Sequence, residues 1–102
     1  MSQFYSLPNI PITEWSVSDR PREKYLAHGS LHIGDAELLA ILLRTGTSQE
    51  SAVDLAKRLL AANDNSLNKV ADLSVSELTK IKGIGTVKAV TLHAAFELSR
   101  RL

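Results

Sequence analysis

The stretch KIKGIGTVKAV, residues 80–90, sets Gly83 and Gly85 one residue apart between two segments that read as helices. Glycine in a helix costs about 1 kcal/mol relative to alanine, so two in close succession answer a local need. Three phosphate-binding patterns use glycines of this kind. A dinucleotide fingerprint asks for a third glycine where Lys88 stands, and for a preceding strand. A P-loop asks for wider glycine spacing and a Lys-Ser/Thr pair, which are also missing. The third is a helix-hairpin-helix, in which a short helix ends in Leu-x-x-Ile-x-Gly-Ile-Gly and a second helix starts at once. Leu78, Ile81, Gly83, Ile84, Gly85, Ala89 and Leu92 meet that pattern.

The chemistry of such a turn is anion binding. Its glycines permit positive φ and leave bare backbone that a phosphate can approach. Free N–H groups of the turn and of the next helix's first residues then face the anion, aided by the helix dipole. Lys82, Gly83, Ile84, Gly85, Thr86 and Lys88 are therefore the candidate DNA-backbone contacts. The competing reading is a tight turn between two helices whose glycines serve packing alone.

A weaker echo lies upstream in ELLAILLRTGTSQESAVDLA, residues 37–56: helix, short Gly-containing turn, helix. It reads as a degenerate first hairpin of a tandem pair. Gly46 has no second glycine beside it, and Glu50 stands where an anion would be repelled. A structural role is favoured there, with Arg44 and Thr47 kept as weaker phosphate contacts.

The rest of the chain must position these turns. No strand pattern appears, and the expected fold is an all-α, compact helical domain. Residues 1–17 hold two prolines and no helical period, so an extended lead-in is expected, with Ile12 and Trp15 able to pin it to a helical domain at 18–102. SDRPREKYLAHG reads as a short helix with Asp19 as cap and Gly29 past its end. GDAELLAILLRTG is apolar almost all round, which marks a central helix, ended by Gly46. Thr47 and Glu50 fit a capping box opening a helix to about Ala62, whose Ala52, Val53, Leu55, Ala56, Leu59 and Leu60 recur at helical spacing. A short helical turn at LNKVADL follows, then a second box, Ser74 with Glu77. The last helix runs from Thr86 to the end, with Val87, Val90, Ala94 and Leu98 on one stripe, widened by Leu92 and Phe96. Leu38, Leu39, Leu42, Leu55, Leu59, Ile81, Ile84 and Val90 are expected to be buried.

Composition narrows the function classes. With 102 residues and no cysteine, the chain is one domain's worth, without a disulfide framework or thiolate metal site. No apolar run approaches 18 residues and no basic n-region opens the chain, so a cytoplasmic protein without membrane partner is expected. The net charge of +1 hides an asymmetry: six basic and eight acidic residues precede position 66, whereas six basic and three acidic ones follow it. The segment with the glycine turn is thus mildly basic, which suits an anionic partner. His28 and His32 are four apart but separated by Gly29 and Ser30, which makes them surface histidines rather than ligands. His93 has only Glu97 as a carboxylate at helical spacing, a surface pair. Arg20, Arg22 and Lys24 in RPREK are offset by Asp19 and Glu23, a solvated face before a phosphate contact.

The runs EWSVSDRPREKYLAHG, GDAELLAILLRTGT, SAVDLAKRLL and IKGIGTVKA, in that order, resemble the N-terminal region of the RadC family of bacterial DNA repair proteins, over about residues 12–102. The resemblance implies a helix-hairpin-helix domain that precedes a zinc-dependent JAMM/MPN-like domain similar to deubiquitinating metalloproteases. That domain's metal motif, two histidines one residue apart with a downstream aspartate, is absent here. The chain therefore reads as a non-enzymatic domain cut from a longer protein. Its expected function is DNA-backbone binding without sequence preference. The alternative is a protein-interaction or scaffold module that orients the C-terminal metallopeptidase-like domain. No cofactor is expected beyond a monovalent cation that hairpin carbonyls could hold.

Overall fold

The computed structural model describes residues 20–102. Among them the all-α expectation holds: α1 (Pro21–His28), a 3-10 turn at Ser30–His32, α2 (Asp35–Leu43), α3 (Ala52–Ala61), α4 (Leu67–Ala71), α5 (Val75–Thr79) and α6 (Thr86–Arg101), with no strand. The lead-in, with Ile12 and Trp15, and the Asp19 cap lie outside the described residues.

Arg20 is the N-cap of α1, without a side-chain cap bond, and Pro21 opens the helix, where its missing N–H costs nothing. Gly29 closes α1 at φ +78° and donates its N–H to Tyr25 O at 2.8 Å. Lys24 Nζ pairs with Glu37 Oε2 at 3.1 Å, tying α1 to α2. Glu37 Oε1 also accepts the Gly34 N–H at 3.2 Å, satisfying a donor at the start of α2.

The first turn departs from expectation in two places. α2 stops at Leu43, before Gly46: Arg44 turns to φ 69°, ψ −48°, and the Thr45 N–H returns to Leu43 O at 2.8 Å. This is a γ-turn of the rare, strained hand. Gly46 serves a different need, since a Cβ there would lie 2.1 Å from Glu50 O. Nor does Thr47 cap a helix. Its Oγ1 accepts the N–H groups of Gln49 and Glu50 at 3.1 and 3.2 Å, while its own N–H donates to Glu50 O at 2.9 Å. The segment closes on itself, and α3 begins only at Ala52, capped by buried Ser51, whose Oγ accepts the Asp54 N–H at 3.1 Å.

From α3 to the start of α5 the pattern and the structure agree. The six apolar positions that the spacing named on α3 are all buried. Ser66 caps α4 through the Lys69 N–H, and Ser74 and Glu77 form the expected reciprocal box on α5, at 3.0 and 2.9 Å. The core joins Leu39 and Leu43 of α2 to Leu55 and Leu59 of α3, Val70 of α4, Leu78 of α5, Ile84, and Ala89 and Leu92 of α6.

Four of the eight residues expected inside are buried: Leu39, Leu55, Leu59 and Ile84. Leu42 and Ile81 are half-buried against that core. Leu38 is 36% exposed and Val90 48% exposed. The reason for Val90 is that α6 turns its Ala89–Leu92–Phe96 side inward, so the Val87–Val90–Ala94–Leu98 stripe faces out. For Leu38, an all-round apolar helix has more apolar surface than its neighbours cover. Leu43→Ala should therefore cost about 2–5 kcal/mol in a urea titration. Leu38→Ala should cost well under half of that, and Leu42→Ala should fall between them.

Candidate nucleic-acid interface

The turn between α5 and α6 is built by one glycine and left open by the other. Ile84 N–H donates to Ile81 O at 3.0 Å, and Gly83 holds φ +95°, as the third residue of a type II turn requires. A Cβ on Gly83 would lie 2.9 Å from Thr47 Cγ2 and 3.2 Å from Leu55 Cδ1, so its role is close packing of this turn on the first one. Ile84 is buried beneath it.

Gly85 differs. Its φ of −87° and ψ of −175° suit any residue, and a Cβ there would meet nothing within 4 Å. It is the N-cap of the 16-residue α6, and no side chain caps that helix. The first N–H groups of a helix have no partner within it, and they carry the positive end of the dipole. Exposed Thr86 is the first residue of that turn. Lys82, also exposed, has no ion pair among the described residues.

The remaining candidates belong to the first turn. Lys88 Nζ donates to Leu43 O at 3.0 Å and to Thr45 Oγ1 at 2.8 Å, so its ammonium serves the strained end of α2. Arg44 is exposed on a cleft of about 470 Å³ that it shares with Arg20, Arg22, Glu23 and Glu50. Thr47 lies between this cleft and a depression lined by Glu50, Asp54, Arg58 and Lys82. Arg58 is the residue the motif did not announce. Its Nη2 lies 2.5 Å from Glu50 Oε1 and 2.5 Å from Lys82 O, so one guanidinium ties the first turn to the second. The hydrogen bond from Arg58 to Glu50 raises the guanidinium pKa, and the clamp stays charged throughout the accessible pH range. No local pattern could have revealed it, because Arg58 and Lys82 are 24 positions apart.

His28 and His32 keep the surface role expected of them. RPREK is not the solvated face expected of it, since Pro21 is buried and Lys24 is engaged with Glu37 of α2. His93 is half-buried, without the expected Glu97 pair among the described residues. The His28 and His32 rings meet edge to face at 6.4 Å, and the described residues hold no group of three or more His, Asp or Glu side chains arranged for a metal. Glu97 pairs with Arg100 and Arg101. Arg22 pairs with Glu23 at 3.5 Å on the surface. No described helix is long and apolar enough to cross a membrane.

Comparison with known proteins agrees on one family. The UPF0758 N-terminal model matches residues 12–90, and the chain belongs to that family. A UPF0758 protein of Dechloromonas aromatica is 52% identical over 92 residues, covering 90% of this chain and 41% of its own. One of Flavobacterium johnsoniae is 51% identical, covering 91% and 40%, and one of Staphylococcus aureus is 45% identical, also covering 91% and 40%. The chain thus spans about 40% of the length of these relatives. No solved structure matches.

Two outcomes follow from this geometry. Gly83→Ala should destabilise the domain by about 1–3 kcal/mol, through the left-handed backbone and the contact with Thr47. Gly85→Ala should stay within about 0.5 kcal/mol of the parent, as read by thermal melts of the two variants. Separately, the bonds from the Ser74 backbone and hydroxyl hold the Glu77 carboxyl below its ordinary value of 4.5. With the folded pKa depressed, the carboxylate's support for α5 is complete above the ordinary value and lost as pH falls through the lower one. An NMR titration of Glu77 should have its midpoint below 4.5, and Ser74→Ala should raise it only in part, since the backbone N–H bond, the larger cause, remains.

Proposed function

We propose that this domain is the DNA-contacting N-terminal module of a RadC-like DNA repair protein, a helix-hairpin-helix that holds the phosphate backbone without sequence preference. The observation that carries the reading is the open backbone at Gly85, on the uncapped start of α6. A phosphate oxygen can reach N–H donors there that a side chain at position 85 would screen. Thr86 supplies a hydroxyl at the same end, and Lys82 a mobile charge beside it. Gly83 and Ile84 set the shape of the turn. Contacts of this kind position a duplex or strand without reading bases, since they touch only what every nucleotide shares.

Arg44 and Thr47 are secondary in this reading. The depression beside Thr47 sets Glu50 and Asp54 against Arg58 and Lys82, so it offers a phosphate no net positive charge. Lys88 contributes by fixing the first turn against α6. No cofactor takes part in this reading, and the Lys82 carbonyl of the hairpin is engaged by Arg58. The domain binds and does not catalyse. Metal-dependent chemistry in this reading belongs to a C-terminal JAMM-like domain.

Fluorescence anisotropy with short single- and double-stranded DNA at about 50 mM salt tests this. Affinity should fall with salt at a slope of about two to four counterions and should vary little with sequence. Gly85→Val should abolish binding in a domain that stays folded, because a Cβ there meets nothing within 4 Å and the dihedrals are ordinary, with valine at the N-cap costing about 1 kcal/mol. Lys82→Ala should weaken binding to all sequences alike. Exchanging sodium, potassium and lithium at constant ionic strength should change nothing. An absence of binding by the folded domain at roughly 100 μM, the weak end of non-specific affinities, would end the reading.

A further inference from the structure

The outer face of α6 is apolar. Val87 is 81% exposed, Val90 48% and Leu98 68%, and Ala94 between them is exposed as well. Steps of three, four and four residues place all four on one side of the helix, over about 16 Å of its length. Thr91 borders the stripe, but its Oγ1 donates to Val87 O at 2.9 Å, so its polar atom is occupied by the helix itself. Glu97, paired with Arg100 and Arg101, gives the stripe a charged edge near its end. Single exposed apolar residues are ordinary. Four aligned on one helix, with the opposite side of that helix already in the core, form a surface that a partner can cover.

We propose that this stripe is the docking face for the polypeptide that follows the domain in the family's longer members. Two observations select that occupant. The family model is the N-terminal part of UPF0758 proteins, and the relatives extend well beyond the region matched, which is 40–42% of their length. The stripe is also narrow. A stable interface between separate molecules uses about 20–30 residues a side, and four side chains fall far short of that. A covalently attached partner needs much less, because tethering supplies an effective concentration in the millimolar range. A second copy of this chain has no such advantage. The charged edge fits a surface that becomes buried only along its middle, as at interfaces with an apolar centre and polar rim.

The experiment compares this 102-residue chain with the full-length Dechloromonas aromatica relative. The chain has no cysteine, so Val90→Cys and Leu98→Cys each introduce a single thiol; matching substitutions go into a cysteine-free form of the relative. Both thiols should react with a maleimide at near-peptide rates in the short chain. They should react about tenfold more slowly in the long one, as expected for millimolar tethering against a docking Kd near 100 μM. Aspartate at both positions of the long protein should expose the link between its two parts to limited proteolysis, while the melting of the short chain stays unchanged. Equal labelling rates in the two proteins would overturn the proposal. So would slow labelling in the short chain together with its sedimentation as a dimer, which would make the occupant a second copy. DNA affinity does not enter these readouts, so the two inferences fail or survive separately.

Discussion

The missing side chain at Gly83 is the constraint on which the arrangement depends. A methyl group there would press on Thr47 and Leu55, residues of the other inter-helical turn and the helix after it. With hydrogen in that place, the two turns come into contact and Arg58 can bridge Glu50 to the Lys82 carbonyl. Lys88 makes a second bridge nearby, from α6 to the end of α2. Both bridges end on backbone carbonyls, Arg58 on Lys82 O and Lys88 on Leu43 O, so each cationic side chain fixes one segment's backbone against another. The strained γ-turn at Arg44 persists because Lys88 shares its acceptor, Leu43 O, with the Thr45 N–H.

The two glycines of the motif therefore divide the work. Gly83 faces inward and is a packing device, as the structural reading of the turn held. Gly85 faces outward and leaves backbone accessible, as the anion-binding reading required. The pattern Gly-Ile-Gly could not separate these roles, because a sequence states that Cβ is absent without stating which neighbour would have met it. The intervening Ile84 is buried, and this fixes the hairpin so that only the second glycine is turned outward.

Much of the fold was legible because it rests on local chemistry. The Ser74–Glu77 box and the apolar spacing of α3 are short-range signals, and both hold. The misreadings share one physical origin, competition among local signals that only tertiary contacts resolve. Thr47-x-x-Glu50 looks like a capping box, but Ser51-x-x-Asp54 lies four residues on, and the Gly46–Glu50 contact leaves Thr47 to a closed turn. On α6, two apolar lines run along the same helix. Ala89 and Leu92 went inside because a small residue at 89 lets the helices approach closely, whereas Val87 and Val90 would have held them apart. Arg58 was beyond reach for a different reason: its partners lie on two separate turns, and neither its neighbours nor its spacing mark it.

α6 shows how one helix can carry separate demands by distributing them around and along its axis. Its inner line supplies core contacts through Ala89 and Leu92, and its start offers backbone donors at Gly85 and Thr86. Lys88, between them in sequence, reaches sideways to the first turn. What remains is the Val87–Leu98 line, which neither the core nor the turns use. Helix propensity alone would fill such a face with charged residues, since lysine and glutamate are good helix formers and keep a surface soluble. Valine at 87 and 90 does the opposite: it lowers propensity and exposes apolar surface, a cost with no return among the described residues. A residue choice that is unfavourable for the isolated helix, repeated at helical spacing, finds its physical reason in a contact outside the domain.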